Sequence, residues 1–119
     1  MKRILIIEDE KHISDLLKFI LERKEFSVIQ AFSGKEGIES AKKDTPNLIL
    51  LDVMMPKMDG YTVAEALKSE ETTKKVPIIM LSSAAQLKDK ERGLKCGASE
   101  YLTKPFDKDK LLDIISKYL

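Results

Sequence analysis

Four places in the chain carry residue types that could do chemistry together: Glu8-Asp9, Asp52, Ser82 and Lys104. Asp52 ends the run Leu48-Ile49-Leu50-Leu51-Asp52, and Pro56 closes the segment four positions later. An apolar run of this length without alternation reads as a strand buried on both faces, as in a parallel sheet. Asp52 then falls at the strand's carboxyl end, where open α/β sheets receive their ligands. Glu8-Asp9 follow the apolar run Ile4–Ile7, Ser82 follows Ile78–Leu81, and Lys104 follows a short stretch near Ser99–Leu102. A parallel sheet gathers such ends at one edge, so residues distant in sequence converge. Three carboxylates held together repel unless a cation offsets them, and a hard divalent ion such as Mg²⁺ (or Mn²⁺) does so with oxygen ligands. A hydroxyl and an ammonium beside them suit an anion, and Mg²⁺ with lysine is a common phosphoryl clamp.

Each residue alone also has an ordinary structural explanation. Glu8-Asp9-Glu10 could be an acidic helix start favoured by the helix dipole. Asp52 could be a turn residue before Pro56, Lys104 a solvated surface lysine, and Ser82 a strand-end cap. Their shared position at strand ends favours a site. His12 is expected to be exposed on its helix with no chemical role. Cys96 is expected to be a small packing residue, since no base lies near it in sequence.

The elements that must position these groups can be read in order. Ile4–Ile7 form a strand. A helix over about 11–24 carries the stripe Ile13, Leu16, Leu17, Ile20 and Leu21 at helical spacing. A weaker strand spans Phe26–Phe32. Ser33 and Glu36 fit a capping box opening a short helix to about Lys43. After the third strand, Asp59-Gly60 starts a helix with Val63, Ala64 and Leu67 inward. A fourth strand covers Ile78–Leu81, and a thinly apolar helix, with Leu87 and Leu94, is expected over about 86–95. The last helix, about 108–119, carries Leu111, Leu112, Ile115, Tyr118 and Leu119. Strands alternating with helices imply βα units and a parallel sheet covered on both faces.

The chain of 119 residues is expected to be one domain, spanning 1–119, with 43% hydrophobic residues to build a core. Its 21 basic and 20 acidic residues leave a formal charge of +1, which makes no case for nucleic acid or an anionic membrane as partner. A single cysteine excludes an internal disulfide. The apolar part of the amino terminus is too short for a secretory signal, and no stretch approaches a membrane span. A soluble, cytoplasmic protein is expected.

The motifs Ile7-Glu8-Asp9-Glu10, Asp52-Val53-Met54-Met55-Pro56 with Asp59-Gly60, Leu81-Ser82-Ser83, and Gly97-Ala98 followed by Tyr101-Leu102-Thr103-Lys104-Pro105-Phe106 occur in this order along the chain. Together they resemble the receiver domain of bacterial two-component response regulators over essentially the full length, in the stand-alone form of the chemotaxis regulators. The resemblance implies a flavodoxin-like doubly wound (βα)5 fold with a five-stranded parallel sheet in the order 2-1-3-4-5. It implies that Asp52 is the phosphoacceptor. It also implies that Asp9 binds Mg²⁺ directly, that Glu8 acts partly through water, and that Asp52 and the Met54 carbonyl are further ligands. Lys104 is then the partner of the Asp52 carboxylate and of the phosphoryl oxygens, Ser82 the switch hydroxyl, and Tyr101 the aromatic residue whose ring turns inward on activation. A cis Lys104–Pro105 bond is implied as well.

The phosphoryl donor implied is a sensor histidine kinase or a histidine phosphotransfer protein. The output surface implied is the helix over 86–95, the fifth strand and the last helix, with Lys88, Lys90, Glu91, Lys95, Glu100, Tyr101 and Lys108. Whether that surface meets a downstream target protein or a second copy stays open. Met54 and Ala84 lie two residues beyond Asp52 and Ser82, and neither can hydrogen-bond a hydrolytic water, so a long-lived phosphorylated state is expected. Three other readings are distinguishable. A flavodoxin-like cofactor binder would need a phosphate loop where Glu8-Asp9-Glu10 stands. An aspartate-based phosphatase would normally carry a second carboxylate at the Met54 position. A receiver-like binding module would lack phosphorylation altogether.

Overall fold

Apolar strands without alternation are stable only where both faces are covered. The computed structural model of the chain describes residues 1–83 and 96–119, and there the strands are covered by helices. The elements are β1 (Arg3–Ile7), α1 (Lys11–Glu22), β2 (Ser27–Ala31), α2 (Gly34–Asp44), β3 (Leu48–Asp52), α3 (Gly60–Ser69), β4 (Ile78–Ser83), β5 (Glu100–Lys104) and α4 (Lys108–Tyr118). All strands are parallel, in the order β2-β1-β3-β4-β5, which is the arrangement expected from the sequence. The helix expected over 86–95, with Leu87, Lys88, Lys90, Glu91, Leu94 and Lys95, lies outside the described residues, as does Ala84. None of the described helices is long and apolar enough to cross a membrane.

Alternation along each strand divides the core in two. Leu5, Ile7, Ile49, Leu51, Ile78 and Met80 pack with Ala41 of α2 and with Tyr61, Val63, Ala64 and Leu67 of α3. Ile4, Ile6, Leu48, Leu50, Ile79 and Leu81 pack on the other face with Leu17 and Leu21 of α1 and Leu111 and Ile115 of α4. Each fully buried leucine or isoleucine here contributes roughly 1.5–3 kcal/mol. The stripe on α1 is narrower than its sequence suggests. Leu17 and Leu21 are buried, Ile13 and Ile20 are half-buried, and Leu16 is 56% exposed.

Several boundaries differ by one or two residues from the sequence reading. β3 includes Asp52, β4 runs on through Ser82 and Ser83, and β5 is displaced to end on Lys104. Asp52, Ser82 and Lys104 are therefore held by ladder bonds, while Glu8 and Asp9 follow directly on β1. The capping box is also altered. Ser33 Oγ accepts the Glu36 N–H at 3.2 Å, but the Glu36 carboxylate accepts from Phe32 N–H rather than from Ser33 N–H. Asp59 caps α3 by accepting the Thr62 N–H at 2.9 Å.

The amino terminus of α3 sits directly on the end of β3. Gly60 N–H donates to the Val53 carbonyl at 2.8 Å. A Cβ on Gly60 would lie 2.4 Å from the Asp52 carbonyl oxygen and 2.8 Å from Val53 Cα. Only glycine permits this approach. Helix propensity alone favours alanine by about 1 kcal/mol. Gly60→Ala is nevertheless expected to destabilise the protein by about 1–3 kcal/mol through overpacking. Urea unfolding reads this directly, and an unchanged or raised midpoint would show that the close approach constrains nothing.

Candidate functional site

The ladder register assembles the site. Ile7 pairs with Leu51, Asp52 with Leu81, and Leu81 with Leu102. One residue beyond the Ile7–Leu51 pair, Glu8 therefore lies level with Asp52. Side chains alternate along a strand. Glu8 thus shares the parity of Ile4 and Ile6, Asp52 that of Leu48 and Leu50, and Lys104 that of Leu102, all of which belong to the face covered by α1 and α4. At the carboxyl edge that apolar face ends in two carboxylates and an ammonium.

Lys104 Nζ lies 3.0 Å from Glu8 Oε1 and 3.1 Å from Asp52 Oδ1, donating to both. Glu8 is fully buried and Asp52 only 4% exposed. The second Glu8 oxygen accepts the Glu10 N–H at 3.1 Å, and Asp52 Oδ1 also accepts the Met54 N–H at 3.3 Å. Asp9, half-buried, adds a third carboxylate, and one oxygen from each of Glu8, Asp9 and Asp52 lies within 4.8 Å of the others.

The protonation states follow from burial and charge. Burial pushes the Glu8 carboxyl up from 4.5 to about 7; the Asp52 charge adds to this, while the Glu10 N–H and Lys104 oppose it. Burial also raises the Asp52 carboxyl, against the pull of Lys104. For Lys104 burial acts downward, but the charges and hydrogen bonds of Asp52 and Glu8 outweigh it, so its ammonium form is favoured. Proton uptake by these buried carboxyls relieves part of the excess negative charge. A divalent cation would relieve it more fully. The donor set is all oxygen, convergent and more negative than one lysine can balance, and it therefore fits a hard ion such as Mg²⁺.

Ser82 is buried and pairs with Thr103, one ladder step beyond the Asp52–Leu81 pair. Its parity is that of Met80, on the α2/α3 face. Tyr101 packs against that same face, half-buried, with its hydroxyl 3.0 Å from the Tyr61 hydroxyl. Lys104–Pro105 is cis. His12 is exposed and Cys96 buried, as their sequence settings suggest. The first turn after β1 presents carboxylates where a cofactor phosphate would require N–H donors.

Residues 4–116 match the family profile of the response regulator receiver domain. The chain belongs to the response regulator receiver family. It is 46% identical over 112 residues to the DNA-binding dual master transcriptional regulator RpaA of Synechocystis, covering 94% of this chain and 46% of that protein. The receiver thus spans about half the length of that relative. Among solved structures, chemotaxis protein CheY4 of Vibrio cholerae superposes with a TM-score of 0.94 at 29% identity, covering 100% of this chain and 99% of the other. The receiver domain of the Pseudomonas aeruginosa sensor histidine kinase PA1611, solved with magnesium in its active-site cleft, gives 0.91 at 29% identity, covering 98% and 96%. Receiver domains are signalling switches rather than turnover enzymes.

Two residues of this receiver escaped the sequence reading. Gly60 was legible as a helix start but not as the residue that touches Asp52, because the contact is tertiary. Tyr61 drew no expectation from the sequence, since its hydroxyl partner lies forty positions away. Lys104 was expected to pair with Asp52, and its equal approach to Glu8 adds a second partner.

Raised carboxyl values couple stability to pH. The folded receiver holds the Glu8 proton more tightly than the unfolded chain does, so without a divalent cation stability falls as pH rises from 4.5 to about 7. Asp52 shifts in the same direction. The expected loss is on the order of 2 kcal/mol. Thermal unfolding in chelator across this range measures it, and Glu8→Gln should flatten the slope. A slope unchanged in Glu8→Gln would mean that Glu8 is not the group responsible.

Proposed function

We propose that Asp52 accepts a phosphoryl group from a phosphohistidine on a sensor histidine kinase or histidine phosphotransfer protein, and that the modified receiver signals through a protein contact. The observation that carries this reading is the Lys104 ammonium, within 3.1 Å of Asp52 and 3.0 Å of Glu8 at the carboxyl edge of the sheet. An Asp52 oxygen attacks phosphorus, the P–N bond to the donor breaks, and its electron pair returns to the imidazole. Lys104 donates to the phosphoryl oxygens as charge spreads over them, and catalysis is mainly positioning and electrostatics. Asp9, Glu8 (partly through water), Asp52 and the Met54 carbonyl would hold Mg²⁺ or Mn²⁺. When bound, the ion supplies further charge neutralisation at the same oxygens.

The phosphoryl group brings about −1.5 to −2 charges to a nearly closed site. In this reading Ser82 answers it with a hydroxyl hydrogen bond as its loop draws in, and Tyr101 reports the change. Glu100, Tyr101 and Lys108 belong to that output surface. The DNA binding in the name of RpaA is not carried over, because this chain matches less than half of that protein and its formal net charge is only +1. The reading implies a cytoplasmic site of action, where such donors present their phosphohistidine.

Incubation with Mg²⁺ and acetyl phosphate, followed by intact mass, tests the reading. One phosphoryl group is expected on the wild type and none on Asp52→Ala. Lys104→Ala, checked for folding by circular dichroism, should be phosphorylated on the order of 100-fold more slowly. No gain on the folded wild type would favour a receiver-like module that binds without phosphorylation.

The Met54 side chain is 68% exposed and apolar, beside the site without a polar group to align water. Phosphorylated protein should therefore lose its phosphate slowly, and Met54→Asn should shorten its lifetime. Loss within seconds, unchanged in Met54→Asn, would contradict this.

A further inference from the structure

Tyr61 is 97% shielded from solvent, being only 3% exposed, and it begins α3 immediately after Gly60. Its ring belongs to the core on the α2/α3 face, and its hydroxyl is 3.0 Å from that of Tyr101 on β5. Gly60 in turn donates to the Val53 carbonyl at 2.8 Å and leaves no room for a Cβ against the Asp52 carbonyl. A continuous set of contacts therefore runs from the backbone of Asp52 and Val53 through Gly60 and Tyr61 to Tyr101. It does not pass through Ser82 or the residues that follow it.

From these contacts we infer that Tyr61 is a positioning residue for Tyr101: its buried hydroxyl latches the Tyr101 ring toward the core and couples that ring, through the start of α3, to the backbone of Asp52. The inference rests on the proposed function, since it takes Tyr101 as the residue that reports the state of Asp52. The physical basis is simple. The hydrogen bond between the two hydroxyls stabilises the arrangement that makes it, and it forms only while the Tyr101 ring lies against α3. An outward ring would leave the Tyr61–Tyr101 bond broken, so the pair biases Tyr101 inward before any phosphoryl group arrives. By linkage, whatever favours the inward ring also favours the modified site, by at most the same factor. One hydrogen bond of ordinary strength corresponds to a bias of about two- to tenfold.

The test uses the whole chain labelled with 3-fluorotyrosine, whose three tyrosines give three fluorine resonances. Tyr61→Phe removes one oxygen and keeps the ring, and Tyr118→Phe removes a hydroxyl bonded instead to Ser99 and Glu100, as a matched control. In unmodified protein, Tyr61→Phe should shift the Tyr101 resonance toward its solvent-exposed position, while Tyr118→Phe leaves it in place. With Mg²⁺ and beryllofluoride as the phosphoryl mimic, Tyr61→Phe should weaken apparent affinity about two- to tenfold, and Tyr118→Phe should not. A Tyr101 resonance unmoved by Tyr61→Phe overturns the latch. A shifted resonance with unchanged beryllofluoride affinity overturns the coupling to Asp52. If the wild type itself gives no beryllofluoride response, the phosphoryl-acceptor reading fails instead, and the resonance of Tyr101 alone decides the latch.

Discussion

The Lys104 ammonium stands between two buried carboxylates that the sheet register forces together. Glu8, just past the end of β1, lies level with Asp52 on β3, on one face, with almost no access to water. Two such groups cannot both ionise cheaply in that setting. Lys104, reaching in from β5 to within 3.0 and 3.1 Å, offsets one charge, and burial raises both carboxyls toward their neutral forms. The balance is incomplete once Asp9 is counted. That residual negative charge makes the edge receptive to a divalent cation, and it makes a phosphoryl group tolerable only when positive charge is present.

The same constraint explains why the site is built on strands. Asp52 ends β3 and Lys104 ends β5, so their backbones are fixed by ladder bonds. Rigid positioning matters because a displacement of an ångström would separate the ammonium from one of its two partners. The close approach of Gly60 to the Asp52 carbonyl ties the start of α3 to the same point. The Asp52 backbone thus touches the start of α3 as well as β4.

Much of this was legible in the sequence, for identifiable reasons. Unbroken apolar runs at Ile4–Ile7, Leu48–Leu51 and Ile78–Leu81 are the signature of doubly covered parallel strands, and polar residues at their ends mark the binding edge. The convergence of Glu8, Asp9, Asp52 and Lys104 followed from topology alone. Less legible were features that depend on exposure or on distant partners. Leu16 fits the helical stripe of α1 by spacing, yet it lies at the margin of a face already covered by Leu17 and Leu21, and it stays exposed. The Glu36 carboxylate slips one residue along to Phe32 N–H, a choice set by side-chain reach that no capping pattern encodes. The Tyr61–Tyr101 bond joins two elements that are not neighbours in sequence, and nothing local announces it.

The central claim is that Asp52, one of the two carboxylates held by Lys104, is the one that becomes phosphorylated. The most direct measurement is to phosphorylate the protein with acetyl phosphate and Mg²⁺, reduce it with borohydride, and map the peptides by mass. An acyl phosphate is reduced to an alcohol, which leaves homoserine where the aspartyl phosphate stood. The account predicts homoserine at position 52 and nowhere else. Homoserine at position 9, or a phosphoryl group that survives borohydride on a hydroxyl such as Ser82, would contradict it.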